Sequence, residues 1–293
     1  MSDVLFDQAE GLRRMAKPRP VQVIAITSGK GGVGKTNVSI NLAAAMVGQG
    51  KKVLILDADM GLANVDVLLG LHPKYNLSHV IKGERTLDEV IVKGHEGLQV
   101  VPASSGVQLM AELTQAEHAG VIRAFSELSD DIDVLLIDTA AGISNGVVTY
   151  AQAAQEVVVV VCDEPASITD AYALIKLLNS DYGLVRFRVL ANMAHSVSEG
   201  RALYQKILRV TDKFLDVTLD FMGSVPYDDY LRKAVQKQRT VVDSYPRSKA
   251  TEAFKNLAKR TDKWPGPQGA SGHLEFFIER LIQTSHNRGV SPL

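Results

Sequence analysis

The stretch that decides the fold is Gly29-Lys30-Gly31-Gly32-Val33-Gly34-Lys35-Thr36, a glycine-rich run ending in Lys-Thr. It follows an apolar run at residues 21–26 and precedes a helix-like segment at residues 37–47. A strand, then G-x-x-x-x-G-K-T, then a helix is the context of a phosphate-binding loop. Its glycines let successive backbone N–H groups face an anion, and the helix N-terminus adds its positive dipole end. We therefore predict that residues 29–36 bind the phosphates of a nucleoside triphosphate.

Two side chains of this loop carry specific predictions. Lys35 is expected to reach the β- and γ-phosphates, and the hydroxyl of Thr36 is expected to ligate Mg²⁺. Lys30 is not needed to fold the turn. It is either a solvated loop lysine or a cation beside the phosphates of its own or a partner's nucleotide. The nucleotide-binding residues predicted here are Gly29, Lys30, Gly31, Gly32, Val33, Gly34, Lys35, Thr36 and Asn37.

The composition is that of a folded protein without an unusual charge. Of the 293 residues, 46% are hydrophobic, which predicts a packed core. The net charge of −1, from 32 basic and 33 acidic residues, argues against a broad nucleic-acid-binding surface. The single cysteine, Cys162, excludes a disulfide or a cysteine-ligated iron–sulfur cluster within one chain. No apolar stretch is as long as a membrane span and no signal-peptide core is visible, so we expect a cytoplasmic protein.

Seven apolar runs alternate with helical patterns along the chain. Several runs are continuous rather than alternating, as in strands buried on both faces. The rhythm predicts an α/β fold with a doubly wound, mostly parallel sheet and helices on both faces. The ligand is then expected at the carboxyl ends of the strands. The predicted strands cover residues 21–26, 53–56, 98–101, 134–137, 157–161, 187–190 and 221–225, and the helices between them include 37–47, 116–128, 144–154 and 167–178.

Three aspartates follow predicted strands at that end of the sheet. Asp57 and Asp59 come after residues 53–56, and Asp138 comes after residues 134–137. An isolated aspartate in this position often only caps a turn. Beside a phosphate loop, Asp138 is predicted to lie next to Mg²⁺, as in a Walker B strand. Asp57 is predicted to hold a magnesium-bound water, and Asp59 to orient the attacking water.

These motifs resemble a known family. K-G-G-x-G-K-T is similar to the deviant Walker A signature of the MinD/ParA-type ATPases, and the segment Asp59 to Asp66 matches the D-x-G-L-x-N-x-D pattern of their first switch. The resemblance covers roughly residues 20–260. It implies a P-loop ATPase that dimerises around ATP, with Lys30 reaching across the dimer. Ala140 departs from the family pattern, which usually has a proline there.

The resemblance also implies the base-binding residues and the chemistry. Asn192 and the loop containing Pro226, Tyr227 and Asp228 are expected to contact adenine, although an Asn and a Pro in turns are also ordinary structural residues. The expected reaction is slow ATP hydrolysis by in-line attack of water, with Lys30, Lys35 and Asp59 as the catalytic residues. No arrangement for an acceptor substrate is visible, which favours a switch over a metabolic kinase.

Two appendages flank the predicted ATPase domain at residues 20–262. Residues 1–19 contain Asp7-Gln8-Ala9-Glu10-Gly11-Leu12-Arg13, which resembles the D-Q-A-x-x-L-R segment of flagellar-number regulators of the FlhG/FleN group. In that group the segment engages and stimulates the flagellar signal-recognition-type GTPase FlhF. The alternative is a short tail helix packed on its own core.

The second appendage, residues 263–293, combines a linker signal at 264–269 with an amphipathic helix. Its apolar positions fall on one face. They are Leu274, Phe277, Ile278, Leu281 and Ile282. The helix either contacts a membrane peripherally, at the inner membrane or cell pole, or docks on the protein's own core. It lacks the lysine-rich polar face that an anionic membrane prefers.

The interpretation that best joins these observations is an ATP-dependent, dimerising regulatory ATPase with ATP and Mg²⁺ as cofactors. By resemblance, it controls flagellar number, binds an FlhF-like GTPase through residues 1–16 and restrains a FleQ-like transcription activator. No direct specific nucleic-acid binding is expected. The alternatives are a ParA-like DNA or cargo partition ATPase and a MinD-like division-site ATPase.

Overall fold

The computed structural model describes residues 21–59, 65–102, 115–128, 132–265 and 274–289. The strands are β1 (Gln22–Ser28), β2 (Val53–Ala58), β3 (Val92–Lys93), β4 (Gln99–Val101), β5 (Val134–Ala141), β6 (Glu156–Val161), β7 (Arg186–Ala194) and β8 (Thr218–Pro226). They form one eight-stranded sheet in the order β3-β4-β2-β5-β1-β6-β7-β8. Every neighbouring pair is parallel except β3 and β4.

Helices connect these strands. They are α1 (Lys35–Val47), α2 (Val65–Leu69), α3 (Leu77–Ile81), α4 (Leu87–Val90), α5 (Gln115–Leu128), α6 (Asn145–Ala153), α7 (Pro165–Ser180), α8 (Val197–Phe214), α9 (Asp229–Gln236), α10 (Val241–Ser244), α11 (Lys249–Thr261) and α12 (Leu274–Gly289). The predicted doubly wound, mostly parallel sheet is confirmed. Strand β3 was not predicted, because two residues at a sheet edge are too short to show a hydrophobic period.

The strands bury alternate side chains on opposite faces of the sheet. Ile24 and Ile26 of β1 face the layer that contains α1 and α11, whereas Val23 and Ala25 face the layer that contains α5, α6 and α12. A strand with both faces covered is apolar at every position, which explains the continuous runs in the sequence. Helices α7 and α8 cover the remaining strands through a third cluster.

Helix α12 docks on the protein itself. It packs against α5 and α6, and its predicted apolar face is buried against them. Its buried residues are Leu274, Phe277, Ile278, Leu281 and Ile282. Fully burying one such side chain stabilises a fold by about 1.5–3 kcal/mol, so this face contributes substantially to α12 docking. Docking is therefore confirmed, and membrane contact stays a prediction. No helix within the described ranges has both the length and the apolarity needed to cross a bilayer.

Some predictions concern residues outside the described ranges. They include the predicted regulatory segment at residues 1–19, residues 60–64 of the first switch, and residues 266–269 of the linker.

Candidate functional site

The glycine-rich run forms the turn between β1 and α1, at the carboxyl edge of the sheet. Gly32 and Gly34 have φ angles of 82° and 84°, in the left-handed region that side chains disfavour. Gly34 immediately precedes α1 and lies against Asn192, whose Nδ2 would be 2.5 Å from an added Cβ. The loop thus requires glycine both for its backbone conformation and for close packing.

Lys30 lies on the outer side of this loop. Its neighbour Gly29 packs so tightly that an added Cβ would lie 2.2 Å from the carbonyl oxygen of Asp170 in α7. The ammonium of Lys30 donates a hydrogen bond to Oε2 of Glu164, the residue before α7. This hydrogen bond raises the pKa of Lys30, so the side chain carries its charge at neutral pH. Lys30 is therefore a partly exposed cation at the rim of the loop.

Lys35 points into the site and pairs with Asp138. Its Nζ lies 3.1 Å from Oδ1 of Asp138, and both side chains are buried. Ser39, one helical turn after Lys35, also donates its hydroxyl to the same Oδ1 at 2.7 Å. Oδ2 of Asp138 is buried and has no hydrogen-bond partner among the described residues. A buried carboxylate oxygen left in this state is ready to accept a further ligand.

Asp57 lies beside Asp138, because β2 and β5 pair in parallel with these two residues in register. The backbone N–H groups of Asp59 and Val65 donate to the two oxygens of Asp57, each at 3.2 Å. These bonds tie Asp57 to the segment that contains Asp59, which is half-buried. On α6, burial raises the pKa of Tyr150, and the charge of Asp57 raises it further. The tyrosine thus remains neutral next to the carboxylate.

The predicted metal ligands fit Mg²⁺ by their chemistry and placement. Magnesium takes oxygen ligands and keeps several waters and phosphate oxygens. Asp138 offers a buried oxygen without a hydrogen-bond partner, Asp57 is its neighbour in register, and Thr36 is the second residue of α1. The three residues therefore converge on the carboxyl edge of the central strands.

A cavity of about 290 Å³ opens beside the phosphate loop. Among its lining residues are all four that the sequence predicted for the base: Asn192, Pro226, Tyr227 and Asp228. Asn192 donates from Nδ2 to the carbonyl oxygen of Val33 at 2.7 Å, so this side chain also holds the loop. The structure thus brings the predicted base residues together at the end of β7 and β8.

Asp228 also stabilises the local backbone. Its two oxygens accept backbone N–H groups of Tyr230, at 2.9 Å, and of Ala250, at 2.9 Å. One carboxylate therefore caps α9 and also binds the backbone at the start of α11. Asp228 lines the cavity as predicted, but both of its oxygens already accept hydrogen bonds from the fold.

Other site residues were not predicted from the sequence. Ser39 could have been found from its spacing, since residues four apart share a helix face. Glu164 is one residue before the proline that begins α7. Nothing in this local sequence predicts its contact with Lys30. The remaining unpredicted residues line the base cavity and come from β7 and α9: Met193, Leu231, Arg232 and Val235.

The fold and the site define a class of protein. A mostly parallel sheet carries a glycine-rich loop between β1 and α1. The buried Lys35 of this loop pairs with Asp138 on the adjacent strand β5. This is the architecture of a P-loop NTPase.

Comparison with known proteins places the chain within that class. Residues 20–262 match the ParA family model, described as a NUBPL iron-transfer P-loop NTPase. The chain is 60% identical over 272 residues to the antiactivator FleN of Pseudomonas aeruginosa, covering 93% of this chain and 97% of FleN. It is 34% identical over 236 residues to the flagellum site-determining protein YlxH of Helicobacter pylori, covering 80% of each. The MinD structure from Pyrococcus horikoshii, complexed with Mg-ADP, superposes with a TM-score of 0.65 at 26% identity, covering 83% of this chain and 96% of that one.

The chain therefore belongs to the ParA/MinD family of P-loop NTPases, and it is a homologue of the antiactivator FleN. The chain has one cysteine, and that residue is buried.

Proposed function

We propose that this protein is an ATP-dependent, dimerising regulatory ATPase that controls flagellar number. The observation that carries the nucleotide part is the buried Asp138, which pairs with Lys35 through Oδ1 and leaves Oδ2 without a hydrogen-bond partner among the described residues. Incoming phosphates would offer Lys35 a second anionic partner, while Asp138 would hold the magnesium shell. The flagellar part is supported by 60% identity to a protein named an antiactivator.

Each residue has a proposed task in hydrolysis. The N–H groups of residues 29–36 and the ammonium of Lys35 bind the phosphates, and the hydroxyl of Thr36 completes the metal site with Asp57 and Asp138. Magnesium held there would supply neutralisation of charge on the phosphate oxygens. Asp59 orients the attacking water. Lys30, a charged group at the rim, contacts the nucleotide of a second subunit and so makes turnover depend on dimerisation.

Molecular mass in solution tests this proposal directly. The protein is measured by light scattering with Mg-ADP and with a non-hydrolysable ATP analogue. We expect a monomer with the first and a dimer with the second. A monomer in both conditions contradicts the dimerising switch, whereas a dimer in both contradicts its nucleotide dependence.

The partner assignments rest on sequence and on named relatives. We propose that residues 1–16 bind and stimulate an FlhF-like GTPase, and that the ATP-bound form restrains a FleQ-like activator, in line with the antiactivator FleN. Deleting residues 1–16 should abolish GTPase stimulation while ATP hydrolysis persists. An unchanged GTPase response of the truncated protein would refute the assignment.

A further inference from the structure

A second cavity, of about 420 Å³, lies at the edge of the sheet, and no residue of the phosphate loop lines it. It runs beside β8, the last strand of the sheet, between α8 and α11. We call it the edge groove and define it by Val197, Arg201, Phe221, Lys249, Leu257 and Arg260. Its volume is within the range typical of ligand-binding pockets.

The backbone of β8 is closed to a further strand. The pairing of β8 with β7 skips Met222, so the strand bulges there, and the next residue, Gly223, has φ +144°. The guanidinium of Arg260 donates to the carbonyl oxygen of Met222 at 2.8 Å, and Tyr204 donates to that of Leu219 at 2.7 Å. A bulge and occupied carbonyls are ways in which proteins block strand addition. An occupant of the groove must therefore be recognised by side chains.

The floor of the groove is partly apolar and open. Phe221 is half-buried, and Val197 is 67% exposed at the first position of α8. The guanidinium of Arg201 lies 6.0 Å from the centre of the Phe221 ring, so the aromatic floor and the charged rim adjoin. A ligand in this groove would therefore meet an apolar floor and charged groups at the rim together.

The rim carries an excess of positive charge. Arg201, Lys249, Arg260 and Glu252 line the groove, and Glu252 is the one carboxylate among the described lining residues. Among the described residues none of these four side chains is in an ion pair, although Lys206, also on α8, pairs with Asp163 at 2.7 Å. In a chain of net charge −1, three cations around one apolar groove attract an anionic partner.

We propose that the edge groove binds a short acidic segment of a partner protein. One apolar side chain of that segment packs on Phe221 and Val197, and its carboxylates pair with Arg201, Lys249 and Arg260, since guanidinium groups bind carboxylates in a bidentate manner. A protein fits better than nucleic acid, because phosphate backbones are held by extended rows of cations and this rim includes Glu252. Pro226 lines both this groove and the base cavity, so the segment lies next to the nucleotide site.

The test uses the full chain and a phage-displayed library of random peptides. Selected peptides are synthesised with a fluorescent label, and their affinity is measured by anisotropy. We expect sequences rich in Asp and Glu around an apolar residue. Binding should weaken by about tenfold or more in the R201E/K249E variant, because both changes reverse rim charges, and it should weaken with added salt.

Lys255→Glu is the matched control. It reverses an exposed charge on the same helix, α11, and does not line the groove. Peptides that lack acidic residues, or an equal loss in K255E, overturn the proposal. So does duplex DNA binding that depends on Arg201 and Lys249 without any peptide binding. The R201E/K249E variant should still dimerise with the ATP analogue. Dimerisation therefore tests the proposed ATP switch, and peptide binding tests the edge groove.

Discussion

Asn192 joins the base cavity to the phosphate loop: its Nδ2 donates to the backbone carbonyl oxygen of Val33 at 2.7 Å. The same side chain is 3% exposed and lies against Gly34, so it holds the loop at the turn into α1. A hydrogen bond thus links the base cavity to the phosphate loop in the nucleotide-free protein.

Asn192→Ala should weaken binding of the phosphates as well as of the base. One lost hydrogen bond costs about 0.5–1.5 kcal/mol, which is about two- to tenfold in affinity. Calorimetric titration with Mg-ADP and with inorganic tripolyphosphate separates the two effects. If only Mg-ADP binding falls, Asn192 acts through the base alone, and its bond to Val33 has no role in holding the loop.

Lys35→Ala should abolish productive nucleotide binding and also destabilise the nucleotide-free protein. Removing one partner of a buried ion pair typically costs about 3–5 kcal/mol, and Asp138 would remain buried without its cation. Urea unfolding of the free protein measures this loss. The double variant K35A/D138N should recover much of it. No recovery would show that the lysine stabilises the loop by other contacts.

Lys30→Ala should bind ATP but lose dimerisation or turnover. The Lys30–Glu164 pair is exposed, and exposed pairs contribute little to stability, so folding should be unaffected. Glu164→Gln is the control, since it removes the ion pair within one subunit and keeps Lys30. Light scattering with the ATP analogue and a phosphate-release assay are the measurements. If the K30A protein has normal dimer mass and normal turnover, Lys30 has no role in dimerisation or hydrolysis.

Asp59→Ala should retain ATP and trap the dimer, because the proposed task of this carboxylate is confined to hydrolysis. The hydrogen bond from residue 59 to Asp57 should survive the change, since it comes from the backbone N–H. Size and bound nucleotide are measured after incubation with Mg-ATP. A variant that remains monomeric with ATP refutes this role.

Phe277→Ala should weaken docking of α12 and lower stability. A buried phenylalanine truncated to alanine typically costs about 3–5 kcal/mol, and Phe277 is 2% exposed between α5 and α6. Glu279→Ala, at an exposed position of the same helix, is the matched control. Thermal unfolding compares the two variants. Equal transitions in both would show that α12 does not stabilise the fold.

Local sequence determined a large part of this structure. The phosphate-binding loop at residues 29–36 can be recognised from the sequence alone. Its predicted function needs glycines and a lysine at fixed spacings along the chain. The seven apolar runs predicted the strands because both faces of the sheet are buried. Asp57 and Asp138 followed from the same rule, since parallel strands present their carboxyl ends at one edge.

The tertiary structure decided what depends on distant residues meeting. The bond from Asn192 to Val33 joins positions 159 residues apart, and no local pattern encodes it. Docking of α12 on the protein itself depends on the apolar surface that α5 and α6 offer to it. The edge groove exists only because α8 and α11 flank the last strand of the sheet. Sequence spacing specifies local chemistry, whereas burial and charge pairing arise from which elements the folded chain packs together.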